Sequence, residues 1–101
     1  MINKALGGVV KPTNIMERIP KVGDTVIYTT TEQERKDMEN CPPLHNNVQE
    51  KLPAMVVAVW GDKPDSLVNL KVIHDGQSPD LWKTSVPRGD GEMNWNFPVQ
   101  E

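Results

Sequence analysis

The chain concentrates its chemistry between Trp82 and Phe97, in the run WKTSVPRGDGEMNWNF. This run holds two of the three tryptophans and the single phenylalanine. Between the rings lie Lys83, Thr84, Ser85 and Arg88, the residue types that hold phosphate. Arg88 would bind as a planar fork, Lys83 as a point charge, and the two hydroxyls as short donors. A ring at the edge of such a cluster can stack a planar base, a contact that contributes about 1–3 kcal/mol per base. Trp60, which ends an apolar run beside Gly61, is a third ring suited to the open edge of a core. The competing reading is structural. Trp82 and Trp95 would then face inward from neighbouring strands as a cross-strand aromatic pair.

Other chemistries find little footing. Cys41, His45 and His74 are not flanked by carboxylates at metal-ligand spacing, so no metal site is expected. Cys41 with His45 four residues on lacks the positioned base and oxyanion donors that a thiol nucleophile needs. Gly7-Gly8 is not followed by the Lys-Ser pair or the helix of a phosphate loop. Arg88-Gly89-Asp90 is accounted for by Gly-Asp turn chemistry. The pattern therefore predicts neither an enzyme nor a cofactor.

The elements that must position these residues read as short strands. PKVGDTVIYTT turns at Gly23-Asp24 and then alternates through Val26 and Tyr28, the period of a half-buried strand. PAMVVAVW, Pro53 to Trp60, is apolar on both faces and predicts a central, doubly buried strand. LVNLKVIH places Val68, Leu70 and Val72 on one side and Asn69 and Lys71 on the other, ahead of the Asp75-Gly76 turn. LWKTSV puts Trp82, Thr84 and Val86 on one face and Leu81, Lys83 and Ser85 on the other. EMNWNF puts Met93, Trp95 and Phe97 together. Between the first two strands, TEQERKDMEN carries a capping box at Thr31 and Glu34 and a Glu32–Lys36 pair, with Met38 as its apolar anchor. CPPLHNN then forbids regular structure.

The expectation is an all-β domain over residues 20–101. It would be a small five-stranded bent sheet or Src-homology-like barrel, with a long inserted loop at 31–52 that contains a short helix. Residues 1–19 read as an extended N-terminal arm ordered against a partner. With 37% apolar residues among 101 and five aromatics, the core is thin, which favours a homo-oligomer. The formal net charge of -3 argues against duplex nucleic acid, which demands a basic stripe. One cysteine, no apolar leader and no long apolar run lead to an expectation of a reducing cytoplasm, with no signal peptide and no membrane span.

The blocks PKVGDTVIY, LPAMVVAVW, VNLKVIHDG, WKTSVPRG and NWNFP, in that order, resemble a group of small tailed-phage accessory proteins. The likeness covers roughly residues 20–98. This chain departs from the pattern at Phe97, where a second tryptophan is typical. The resemblance implies a phage protein working in the host cytoplasm and brings no functional residue with it. In that setting the ring-and-donor set reads as an anti-defence sponge, a non-enzymatic oligomer that sequesters a small anionic nucleotide. Trp60, Trp82, Lys83, Thr84, Ser85, Arg88 and Trp95 are its candidate ligand-binding residues. Alternation separates Trp82, Trp95 and Phe97 from Lys83 and Ser85, so the Pro87–Gly91 loop and a second subunit would have to complete the pocket. The alternative is a virion-associated or adaptor module that grips a protein partner and no small molecule.

Overall fold

A computed structural model describes residues 18–99 of the chain. Of the arm expected over residues 1–19, all but Arg18 and Ile19 lies outside the described residues. The fold is the expected bent antiparallel sheet, formed by β1 (Thr25–Thr29), β2 (Lys51–Trp60), β3 (Leu67–Val72), β4 (Leu81–Val86) and β5 (Trp95–Asn96). Their order is β4-β3-β2-β1-β5. The first four strands form a meander, and β5 returns beside β1 at the opposite edge from β4. The sheet curls into a half-barrel. Its two edges meet at one end, where Pro87 and Gly89 exchange main-chain hydrogen bonds with Trp95 at 3.0 and 2.9 Å. The WKTSVPRGDGEMNWNF run is therefore a crossover between opposite edges.

Alternation builds one dry face. Val26 and Tyr28, Leu52, Ala54 and Val56, then Val68, Leu70 and Val72 all point into the curl, where Trp95 and Phe97 close the core. Two bulges set what faces where. On β2 the extra residue falls between Val56 and Ala58, and on β4 it falls at Thr84–Ser85, opposite Asn69. Ser85 takes a left-handed conformation (φ 52°), one of those that an inserted bulge residue adopts. The β4 bulge overturns the simple alternation expected there. Val86 turns inward with Leu81 and Lys83, because pairing joins Leu70 to Lys83 and Val68 to Val86. Trp82, paired with Lys71, points outward.

β2 is central, as its apolar run predicts, but it is buried on one face only. Met55 and Val57 project from the far side of the sheet. At its end the chain turns through Gly61 (φ +142°), where a Cβ would lie 2.8 Å from the Ser66 hydroxyl oxygen. That hydroxyl also receives the Lys63 N–H and is needed to close the turn.

The insertion forms the expected helix, α1 (Glu32–Glu39), with the full capping box and buried Met38. The Lys36–Glu32 pair lies at 3.8 Å. The helix is tied to the barrel at both sides of its first turn. Glu34 reaches Lys83 on β4 at 2.8 Å, and Arg35 reaches the Thr30 carbonyl at 2.6 Å and Glu92 at 3.0 Å. Leu44 is buried in the loop that follows.

Candidate functional site

The ring-and-donor set does not converge. Trp95 is fully enclosed (0% exposed) and packs edge-on against Phe97, with ring centroids 5.3 Å apart at 88°. Trp82 is 61% exposed on the outer face of the opposite edge strand. The two do not form the cross-strand pair that alternation suggested. Trp95 keeps the core role and Trp82 is a surface ring.

Arg88 is committed to the fold. Its Nε donates to Asn96 Oδ1 at 2.9 Å, and Nη1 donates to the Pro64 and Arg18 carbonyls at 3.0 and 3.1 Å. The guanidinium lies 5.1 Å from the centroids of both Trp95 and Phe97, while Arg18 stacks on Phe97 at 3.9 Å. Burial, then the neighbouring Arg18 cation, push the Arg88 pKa down, against the pull of Asp90 and Asp65. It remains a cation, since no protein environment of this kind deprotonates arginine. One side chain thus joins the segment ahead of β1, the β2–β3 turn and β5.

Lys83 is occupied too. It points into the curl, pairs with Glu34 at 2.8 Å, and lies 5.9 Å from the Tyr28 ring centroid. Glu34 is the centre of this cluster. Its carboxylate accepts from the Tyr28 hydroxyl (2.9 Å), the Thr31 N–H (2.9 Å) and Lys83. Burial pushes the Glu34 pKa up. The hydrogen bonds from Lys83, Thr31 and Tyr28, with the Lys83 charge, outweigh that and hold it below its ordinary value. The Tyr28 hydroxyl is pushed far above its ordinary range by burial and by the Glu34 carboxylate it donates to. An acid that is fully hydrogen-bonded and charged, beside a phenol that keeps its proton, is a structural clasp. Neither group is poised for proton transfer near neutral pH.

Of the ring-and-donor set, what remains accessible lies on the outer face of the sheet. Cross-strand pairing aligns Met55, Lys71 and Trp82 in one row and Trp60 with Leu67 in another. Ile73 extends the patch beside Pro53, to whose carbonyl its N–H donates. Met55, Val57, Trp60, Leu67, Ile73 and Trp82 are all exposed, Trp60 to 60%. Asn69 sits at the middle of the face. Its Oδ1 accepts from Trp60 Nε1 at 3.0 Å and from the Ser85 N–H at 2.9 Å. The Trp60 ring is thereby pinned toward the patch, and the bulge that carries Ser85 is held beside it. Thr84 and Ser85 are exposed at the rim. Of the seven predicted residues, Trp60, Trp82, Thr84 and Ser85 share this face, while Lys83, Arg88 and Trp95 belong to the interior. Met55, Leu67, Asn69 and Ile73 escaped the sequence reading. For Met55 the signal was the apolar character of β2 on both faces, which read as double burial. Leu67, Asn69 and Ile73 alternate with the inward Val68, Leu70 and Val72 and so lie on the outer side of β3 and its end.

Among the described residues, no group of three histidine, cysteine or acidic side chains is placed to hold a metal ion. Nor is any helix there long and apolar enough to cross a membrane. Comparison with protein-family models, curated proteins and solved structures returns no match.

Proposed function

We propose that this protein is a non-enzymatic interaction module of the adaptor or particle-building kind. Its working surface is the outer face of the sheet, and the occupant of that face is a second copy of the chain. The supporting observation is the exposed patch itself, with two tryptophans and four aliphatic or thioether side chains in adjoining positions. A tryptophan offers up to about 250 Å² of contact surface and an aliphatic side chain less, so the six exposed fractions amount to on the order of 600 Å². That matches or exceeds the largest apolar patch of an ordinary monomer. With Lys71, Pro53 and Thr84 included, it fills the footprint of about 800 Å² per partner that a stable dimer uses. Pairing the same patch on two subunits is the isologous arrangement that closes without leaving a free face. Pinning of Trp60 by Asn69 lowers the ordering cost of docking.

Nucleotide sequestration draws less support from the geometry. The two cations assigned to it, Lys83 and Arg88, serve the fold, and what the outer face offers a ligand is its rings, its hydroxyls and Lys71 beside Trp82.

Quencher accessibility tests the reading. Trp95 is enclosed, whereas Trp60 and Trp82 meet solvent on an isolated subunit. Acrylamide should reach both rings at high dilution and lose access to them as concentration rises. Two accessible indoles at every concentration would remove the second copy from the face. Protection that appears only on adding a nucleotide would move the function to small-molecule binding.

A further inference from the structure

On the other side of the sheet, the insertion does not lie flush on the barrel. A half-open cavity of about 190 Å³ separates α1 and its following loop from the start of β4. Its wall is apolar, formed by Met38, Cys41, Leu44 and Leu81. The polar groups at its base are already satisfied by the protein. Thr30 Oγ1 donates toward the Gln49 and Glu50 carbonyls and accepts from Arg35. Both Glu34 oxygens are taken up by Tyr28, Thr31 and Lys83. The base therefore offers a ligand apolar contact and no strong hydrogen bond. Asp37, also on the lining, differs. It is exposed, and among the described residues it is hydrogen-bonded through Oδ1 alone, to Gln33 at 3.0 Å.

We propose that this cavity binds a small apolar molecule that carries a protonated amine. The body sits between Met38, Cys41, Leu44 and Leu81, and the ammonium group meets the second oxygen of Asp37. Size supports the class: an apolar cavity of about 150 Å³ accommodates benzene, so this one takes a six-carbon ring with one or two further atoms. Charge supports it as well. Of the ionisable groups on the lining, Glu34 is paired with Lys83 and His74 sets its Nδ1 3.3 Å from the Pro79 carbonyl. Among the described residues, Asp37 thus carries the uncompensated charge and favours a cation over a carboxylate. The site is separate from the outer face and does not depend on what covers that face.

The test uses the full chain with benzylamine, benzyl alcohol and benzoate as probes, followed by amide NMR and by the rate of Cys41 alkylation. Benzylamine should bind with a Kd of about 1 mM, in keeping with a ligand of about eight heavy atoms. It should shift the amides of residues 38–44 and 81 and slow alkylation of Cys41. Its affinity should exceed that of benzyl alcohol by about three- to fivefold, the value of an exposed charge pair, with benzoate weakest. Asp37→Asn should erase the preference for the amine and leave binding of the alcohol unchanged. Cys41→Leu should fill the cavity and abolish binding of all three probes. Absence of binding, shifts confined to other residues, or benzoate binding as well as benzylamine would overturn the proposal. So would an amine preference that survives Asp37→Asn.

Discussion

Replacing Glu34 by glutamine isolates the charge at the clasp between the insertion and the barrel. Glutamine can still accept from the Thr31 N–H and so keeps the capping box. What it loses is the ionised partner of Lys83, whose side chain is 22% exposed against 16% for Glu34. A hydrogen bond to a charged group contributes about 1.5–3 kcal/mol, and the variant also leaves Lys83 half-buried without its counter-ion. We expect a loss of about 2 kcal/mol, equivalent to a fall of about 10 °C in Tm for a domain of this size. The pH dependence follows from the lowered Glu34 pKa. The native state holds this proton less tightly than the unfolded chain. The contribution is therefore complete above the unfolded value of about 4.3 and is lost as pH falls through the lower folded value. Urea melts at neutral pH should separate wild type from Glu34→Gln, and the gap should narrow steadily as melts are carried to acid pH below the ordinary carboxylate range. The double variant with Lys83→Met should recover part of the loss, since it removes the stranded cation. Equal stability of wild type and Glu34→Gln at neutral pH would refute the clasp. A gap that stays constant on acidification would assign the loss to packing instead of charge.

Three further substitutions test the core and its supports. Arg88→Lys should cost about 2 kcal/mol or more in thermal denaturation, because an ammonium cannot reproduce the fork that joins Asn96, Pro64 and Arg18; unchanged stability would return Arg88 to the list of ligand donors. Trp95 Nε1 is buried with no hydrogen-bond partner among the described residues. Trp95→Phe, which deletes that donor, should therefore cost well under the about 3–5 kcal/mol expected of Trp95→Ala, as read from urea midpoints. Gly61→Ala combines a left-handed backbone with a Cβ crowding the Ser66 hydroxyl, and should lower stability by at least about 1 kcal/mol in the same assay.

Fold class was legible because most of the strands keep a clean period of two and the turns carry Gly-Asp or Asp-Gly. Val68, Leu70 and Val72 face inward as their alternation requires, and Thr31 caps its helix as its spacing to Glu34 requires. The site was less legible for three physical reasons. A bulge is invisible to a period of two, so Thr84–Ser85 put Val86 inward and Trp82 outward where alternation had grouped them on one inner face. Pairing order is not encoded locally, so β4 and β5, close in sequence, could not be seen to lie on opposite edges. An apolar run reads as buried whether a second layer covers it or not, which hid Met55 and Val57. Arg88 and Lys83 have the composition of a phosphate site, but their donors are used by partners distant in sequence, Glu34 for Lys83 and Pro64 and Arg18 for Arg88.

The central claim is that the outer face is an interface between two copies of the chain, and solution mass tests it most directly. Sedimentation equilibrium of the wild type should give twice the chain mass, falling to one chain mass on dilution. The pair Trp60→Glu and Trp82→Glu, both at exposed positions, should give a folded monomer throughout, since each buries an unpaired charge within the patch. A wild type of one chain mass at every concentration, or a dimer that persists in the double variant, would contradict the account.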